Sequence, residues 1–212
     1  EPKEPREPKE PKEPRGPREK VIIELSDGRE REITHTTRTF FFGKEGQTLT
    51  AQQFINELYN TCMLPEVFES EDKLRELWSV PSTRKALLKS LENAGFGFSD
   101  LVEIQKIIDA EKSDIFDVLE FVAFAKKPLT RVKRIEESEE TMQNEFKEDQ
   151  MEFINFVLDQ YENEGVLVLD DEKLPILLEL KYKSLENAKH ILGDLNVARN
   201  IFLDFQKVLY KV

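Results

Sequence analysis

The chain has 212 residues, of which 39% are hydrophobic and 35% charged, with a formal net charge of −12 at pH 7, so it can fold around one large core or two small ones. This acidity argues against a broad DNA-gripping surface, because nonspecific affinity for nucleic acid comes mainly from Lys and Arg side chains that neutralise phosphates. No apolar run approaches the roughly 20 residues that a membrane-spanning helix requires, so we expect a soluble protein without membrane contacts.

The cysteine content and the first residue bear on the compartment and on the length of the natural polypeptide. A single cysteine, Cys62, rules out an internal disulfide framework and a cysteine-built zinc site. This suits a reducing compartment and makes the cytoplasm the expected location. The chain begins with Glu1 instead of Met and carries no signal-peptide pattern, so we expect it to be the C-terminal piece of a longer polypeptide.

Residues 1–20 repeat Glu-Pro-basic every three residues, in the sequence EPKEPREPKEPKEPRGPREK. Proline at this period matches the three-residue turn of polyproline II, and the interleaved charges resist collapse. The segment therefore predicts an extended or disordered, semi-rigid spacer between two folded bodies. A proline-rich peptide for an aromatic-lined groove is the alternative, but repeated Glu-Pro lacks the apolar anchors of such peptides.

A small β-element is predicted over residues 21–49. The run VIIEL is apolar and β-branched, SDGR carries the Asp-Gly turn signal, and EITHTTRTFFF is again rich in strand formers. Gly43 and Gly46 mark a second turn, after which QTLT could add a third strand. We predict an antiparallel β-hairpin or a three-stranded element.

The helical period dominates residues 50–212, where seven or more helices are expected. Thr50 and Gln53 occupy capping-box positions before the first helix. Pro81 marks a later helix start and Gly165 a helix stop. The predicted fold class is therefore mainly α, a multi-helix domain with a small N-terminal β-element.

Two later stretches differ in their patterns. Five apolar side chains lie at helical spacing and share one face: Phe153, Ile154, Val157, Leu158 and Tyr161. Residues 136–150, by contrast, are highly charged and predict either a solvent-facing helix or a hinge. The helical domain could divide into two lobes there.

The most apolar run of the chain, SDIFDVLEFVAF at residues 113–124, also carries three evenly spaced carboxylates. On a helix, positions three apart turn by about 300°, so Asp114, Asp117 and Glu120 step round the cylinder by roughly 60° each and cannot converge tightly on one ion. Ser113 can cap the first turn, and Asp114 meets the positive end of the helix dipole. The carboxylates therefore predict a helix start and an acidic edge, not a metal or acid/base site.

The apolar side chains of the same helix raise the question of an interface. Phe121 and Phe124 fall near the acidic stripe, which leaves little of the helix purely polar. A helix that is apolar nearly all round is either central to a core or covered by a partner. Both readings stay open for these two phenylalanines.

A basic cluster, KKPLTRVKR, follows directly. Its bases are Lys126, Lys127, Arg131, Lys133 and Arg134. The cluster could contact phosphate, but acidic residues follow at once between positions 136 and 140. A mixed-charge helical face is therefore favoured.

Signatures of catalysis are absent or weak. None of the eight glycines has the context of a phosphate-binding P-loop. His35 and His190 form no His-x-x-x-His pair, so no metal centre is expected. The Glu-x-Lys pattern of restriction-type nucleases occurs at residues 145–147 and 179–181, but both lie in helical surroundings, where chance matches are expected. An independent metal-dependent hydrolase ranks below every other interpretation.

A resemblance to a known family is carried by three ordered stretches: LRELWSVPSTRKALLKSLENAGFGFSDLVEIQKIIDAEKSDIFDVLEFVAFAKKPLTRVKR, QMEFINFVLDQYENEGVLVLDDEKLPILLELKY and the closing FQKVLY. They resemble the C-terminal domain of type I restriction enzyme R subunits of the EcoEI type. The resemblance extends over most of residues 21–212, and it is far more specific than any short motif above.

The resemblance implies an ATP-dependent parent enzyme, with DNA-translocating motor and nuclease domains upstream of this chain. ATP and Mg²⁺ would be cofactors of those domains, and none is expected in this fragment. A helical C-terminal domain would dock on the methyltransferase (M) subunit and, through it, on the specificity (S) subunit. The catalytic motifs of the family are absent here, so no catalytic residue carries over.

We therefore expect a non-catalytic assembly domain that reaches DNA only through the parent complex. Phe121, Phe124 and the bases from Lys126 to Arg134 are the interface candidates. The alternative is direct contact of those bases with the DNA backbone beside the motor, which would weaken by orders of magnitude with added salt.

Overall fold

A computed structural model of the chain describes residues 20–34, 41–43, 45–63 and 70–212. Within these residues, two small antiparallel sheets precede ten α-helices, which confirms the predicted mainly α fold class. The predicted spacer, apart from Lys20, lies outside the described residues, as does His35. No helix in the described ranges is both long and apolar enough to cross a membrane.

The two sheets are short hairpins. Strand β1 (Lys20–Glu24) pairs antiparallel with β2 (Glu30–Thr34), and Gly28 in the turn between them has a φ of 82°, in the left-handed region that favours glycine. Strand β3 (Phe41–Phe42) pairs with β4 (Thr48–Leu49) in a sheet of its own. The predicted hairpin is present, but the QTLT segment does not extend it, because a tight turn returns this segment onto the strand directly before it.

The helices begin and end close to the predicted signals. Thr50 and Gln53 form the expected capping box: each side chain accepts a hydrogen bond from the backbone N–H of the other residue. Pro81 is the first residue of its helix, and Gly165 caps the end of another. The helices are α1 (Ala51–Cys62), α2 (Glu71–Trp78), α3 (Pro81–Asn93), α4 (Phe98–Ile107), α5 (Ile115–Phe124), α6 (Arg131–Glu145), α7 (Glu148–Glu164), α8 (Leu174–Tyr182), α9 (Leu185–Leu192) and α10 (Leu195–Leu209).

The charged stretch over residues 136–150 spans the end of one helix and the start of the next. Helix α6 is mostly exposed, as expected of a solvent-facing helix, and buries only three residues: Arg134, Ser138 and Met142. The N-cap of α7 is Lys147, two residues after α6 ends. A division of the helical domain into two lobes at this break stays a prediction.

Helix α5 lies at the centre of the core. Eight of its ten residues are buried, and it packs against α1, α2 and α4. The Phe116 ring forms a three-ring cluster with Trp78 and Tyr210: its centroid is 5.9 and 5.3 Å from theirs, and their own centroids are 6.4 Å apart. The most apolar run of the sequence is thus enclosed mainly by the chain's own helices.

Four arginine side chains donate hydrogen bonds to carbonyl groups at helix ends: Arg31 at α5, Arg75 at α10, Arg84 at α2 and Arg131 at α7. Arg31 in β2 is 3% exposed and donates to the carbonyls of Phe121 and Val122 at 2.8 and 2.9 Å. Such contacts help to satisfy the carbonyls of the last helical turn, and they place positive charge at the negative end of the helix dipole. Although the chain is acidic overall, several of its arginine side chains therefore stabilise helix ends inside the fold.

Candidate functional site

The first turn of α5 is capped by a carboxylate. Asp114 is the N-cap, and its Oδ1 accepts a hydrogen bond from the backbone N–H of Ile115 at 2.7 Å. In return, the Asp117 carboxylate accepts one from the backbone N–H of Asp114 at 2.9 Å. The prediction that Ser113 caps this helix is wrong by one residue, because the Asp114 carboxylate takes that position. The backbone carbonyl of Ser113 accepts a hydrogen bond from Gln105 at 3.0 Å.

The carboxylates of the predicted acidic edge are buried, a feature that the helical pattern does not show. Asp114 and Asp117 are 2% and 1% exposed. The hydroxyl groups of Tyr161 and Tyr210 both donate to Oδ2 of Asp114, and Nη2 of Arg134 donates to Oδ1 of Asp117 at 2.7 Å. A helical wheel shows only the residues of its own helix, so it could not reveal partners that come from three other segments of the chain.

Arg134 is the buried cation that balances this site. It is 1% exposed, and its guanidinium lies over the rings of Phe116 and Tyr210, at 4.9 and 5.2 Å from their centroids. Burial disfavours its charge and is the largest single influence, but the surrounding acidic groups, Asp117 foremost, together outweigh it and raise the pKa of Arg134. The guanidinium therefore stays charged inside the fold.

A further ion pair, between Glu120 and Arg75, lies at the rim of the same network. Glu120, 6% exposed, accepts a hydrogen bond from Nη2 of Arg75 at 3.0 Å, and Arg75 also binds Glu71 at 2.9 Å. Burial raises the pKa of Glu120 to about 7, although Arg75 acts in the opposite direction. Glu71 is also 3.1 Å from Nζ of Lys126, so this pair links α2 to the basic cluster after α5.

The arrangement does not resemble a metal or acid/base centre. In the described part of the chain, no group of three or more His, Cys, Asp or Glu side chains could hold a metal ion. His190 is exposed on α9. The Glu-x-Lys matches lie at the break between α6 and α7 and within α8, not at a strand end. The buried carboxylates are engaged with arginines, tyrosines and backbone N–H groups, which is the chemistry of a structural network.

The basic cluster after α5 separates into an outer and an inner part. Lys126, Lys127 and Lys133 are exposed. Arg131 is partly buried and donates to the carbonyls of Ser113 and Glu162, whereas Arg134 is fully enclosed. The two arginines therefore stabilise this fold from within. Lys126 is paired with Glu71, so Lys127 and Lys133 are the bases of the cluster that remain available to a partner.

The two candidate phenylalanines lie between the core and the surface. Phe121 and Phe124 are both partly buried and pack against the hydrophobic core. The backbone carbonyl of Phe121 is held by Arg31. The phenylalanine side chains thus contribute to the fold while keeping some exposed area.

A surface cleft of about 660 Å³ brings part of the predicted interface together. We call it the lysine cleft, and its lining residues are Lys20, Glu32, Ile108, Asp109, Glu111, Lys112, Ser113, Phe121, Ala125, Lys126, Lys127, Pro128 and Thr130. Of the seven interface candidates, Phe121, Lys126 and Lys127 line it. The sequence did not indicate that Lys20 and Lys112 also line this cleft. Lys20 belongs to the β1–β2 hairpin and Lys112 to the α4–α5 loop, and no local sequence pattern relates either residue to α5.

Comparison with known protein families gives a match over most of the chain. A family model described as EcoEI R protein C-terminal matches residues 52–210. The matched segment runs from α1 to the residue after α10 and leaves out both small sheets. No curated protein and no solved structure gives a significant match.

Proposed function

Because the chain belongs to the EcoEI R protein C-terminal family, the C-terminal domain of type I restriction enzyme R subunits, we propose that it is a non-catalytic assembly domain. In this proposal it docks the DNA-translocating and cleaving part of the R subunit on the methyltransferase (M) and specificity (S) subunits. The observation that carries the proposal is the family match, which extends over all ten described helices.

The internal structure supports a role in bearing load. An anchor that holds a translocating motor must keep its shape under force, and buried charge pairs and satisfied helix ends make local opening costly. Arg134 and Asp117 are paired inside the core, and Arg31 joins β2 to the end of α5. The first contact joins two consecutive helices, and the second joins residues 90 positions apart in the sequence.

The proposal assigns the chemistry of restriction to other parts of the R subunit. ATP and Mg²⁺ would be bound there, and DNA would be translocated and cleaved there. This domain would contribute binding alone, with contact to DNA through the assembled complex, in the cytoplasm.

Co-purification tests the proposal directly. The tagged 212-residue chain is mixed with the M subunit alone and with the M–S complex, and retention of each is measured. We expect stable capture of at least one of the two assemblies. Failure to capture either would refute the assembly role.

Salt separates this function from direct DNA binding. An interface centred on apolar contacts should change little between about 50 and 200 mM salt, whereas a protein that neutralises several phosphates loses on the order of a thousandfold in affinity. A fluorescent DNA duplex offered to the chain alone provides the comparison. Tight, salt-sensitive binding of that duplex would favour the DNA-contact alternative.

A further inference from the structure

The lysine cleft is built from segments that are distant in the sequence. Lys20 and Glu32 from β1 and β2 form one wall. The α4–α5 loop and the segment directly after α5 supply the rest, including Lys112, Lys126 and Lys127. Its volume of about 660 Å³ is within the range of clefts that hold several side chains of a ligand.

Two of its four lysines form no salt bridge with the described residues. Lys20 forms a salt bridge with Glu32 at 2.6 Å, and Lys126 lies 3.1 Å from Glu71. Lys112 and Lys127 are exposed and form no salt bridge with any residue that the structure describes. They are therefore positioned to receive carboxylates from outside, and such complementary charges orient a docking partner.

The cleft also offers apolar contact area. Phe121, Ile108 and Pro128 are all partly exposed along its lining. Protein interfaces commonly have an aromatic side chain at their centre and polar or charged residues around their rim. Arg31 holds the backbone carbonyl of Phe121 at 2.8 Å, so the aromatic side chain projects from a fixed backbone.

The charge distribution disfavours nucleic acid as the occupant. Glu32, Asp109 and Glu111 line the same cleft, so its four lysines are set among three acids and offer no continuous basic surface to phosphates. The two arginines of the basic cluster, which would be the better phosphate ligands, are directed into the protein. A protein segment with a few discrete carboxylates can avoid these acids, whereas a continuous phosphate backbone cannot.

We propose that the lysine cleft receives a carboxylate-bearing segment of the methyltransferase assembly, with its acids at Lys112 and Lys127 and an apolar side chain against Phe121. This inference rests on the proposed assembly function. It adds the docking site and the chemistry of the partner segment, and it includes the β1–β2 hairpin, which lies outside the family match.

Charge reversal with a matched control tests the site. Lys112→Glu and Lys127→Glu each place a carboxylate in the cleft, whereas Lys133→Glu makes the same charge change at an exposed position outside the lining. Affinity of the 212-residue chain for the M–S complex is measured by calorimetry. We expect each cleft variant to bind at least about tenfold more weakly and Lys133→Glu to bind within about twofold of the unaltered chain.

Zero-length carbodiimide cross-linking tests the partner's chemistry, because this reagent joins a lysine amine only to a carboxylate in direct contact. Mass spectrometry should find Lys112 or Lys127 joined to Asp or Glu of the M or S subunit. Circular dichroism should show unchanged folding for all three variants, since each altered side chain is exposed and forms no salt bridge with a described residue.

The possible failures are distinguishable. If the unaltered chain does not bind the M–S complex, the proposed function fails and this inference fails with it. If the unaltered chain binds and the cleft variants bind like Lys133→Glu, only the cleft assignment is overturned. The variants are also tested against a 30-base-pair DNA duplex. If the cleft substitutions weaken binding to this duplex and leave binding to the M–S complex unchanged, the cleft contacts DNA and the assignment to a protein partner is overturned.

Discussion

Replacing Arg134 with Met should greatly reduce the stability of the domain. The side chain and its partner Asp117 are each 1% exposed, and Nη2 of Arg134 lies 2.7 Å from Oδ1 of Asp117. Methionine preserves much of the side-chain volume but leaves the carboxylate buried without its cation, which costs roughly 3–5 kcal/mol. This is a large part of the roughly 5–15 kcal/mol that stabilises a typical domain.

Urea denaturation, followed by circular dichroism, measures this change in the free energy of unfolding. The matched control is Lys133→Met, which removes a neighbouring exposed base and should alter the unfolding free energy by no more than about 0.5 kcal/mol. A loss below about 1 kcal/mol for Arg134→Met would refute the reasoning, since it would mean that the Asp117 carboxylate does not depend on this guanidinium.

A double-mutant cycle separates the charge pair from packing. Asp117→Asn keeps an oxygen that can accept the backbone N–H of Asp114 or Leu129, but it removes the negative charge. In the Arg134→Met background this second substitution should cost less than in the unaltered chain, because no unpaired carboxylate remains. Additive effects of the two substitutions would argue against direct coupling.

Three further effects follow from other buried groups. Burial raises the pKa of Glu120 from its ordinary 4.5 to about 7, so the stability that its neutral form contributes is fully present below about pH 4.5 and is lost as the pH rises through about 7. Glu120→Gln should therefore flatten the pH dependence of the melting temperature over this window, and an unchanged slope would contradict the assignment. Arg31→Lys should lower the free energy of unfolding by about 1–3 kcal/mol, because one amine cannot reproduce the hydrogen bonds to the carbonyls of Phe121 and Val122. Urea denaturation measures this loss, and an unchanged free energy of unfolding would show that these hydrogen bonds do not stabilise the fold. Burial raises the pKa of the Cys62 thiol, so a thiol reagent should react with it only in denaturant, and rapid labelling of the folded chain would contradict that placement.

Local sequence signals predicted the helices well. The capping box at Thr50 and Gln53, the start at Pro81 and the stop at Gly165 all depend on interactions within a few residues. The apolar stripe predicted for α7 is buried along its whole length: Phe153, Ile154, Val157, Leu158 and Tyr161. Such features can be read from one segment because their physical causes are local.

The burial of the α5 carboxylates could not be predicted from the sequence, because their partners are not local. Asp114 meets Tyr161 and Tyr210, which follow it by 47 and 96 residues. Asp117 meets Arg134 across a loop and a helix start. The periodicity of one helix shows which side chains share a face, but the chemistry of that face depends on what the tertiary fold brings to it.

The sequence located the basic cluster, but it did not show which of its bases are buried and which are exposed. Arg131 and Arg134 have planar guanidinium groups that can satisfy carbonyls or a carboxylate in the interior, whereas the lysines have compact, strongly hydrated charges that favour the surface. The structure follows this difference, with Lys126, Lys127 and Lys133 outside. The lysine cleft itself depends on the position of the β1–β2 hairpin beside α5, which no spacing in the chain encodes.

The most direct test of the assembly role is a calorimetric titration of the 212-residue chain into the purified M–S complex, without DNA. The account predicts saturable binding in the micromolar range or tighter, which changes little when a DNA duplex without a recognition site is added. An absence of binding heat at several temperatures, together with no co-elution of the two components, would contradict it.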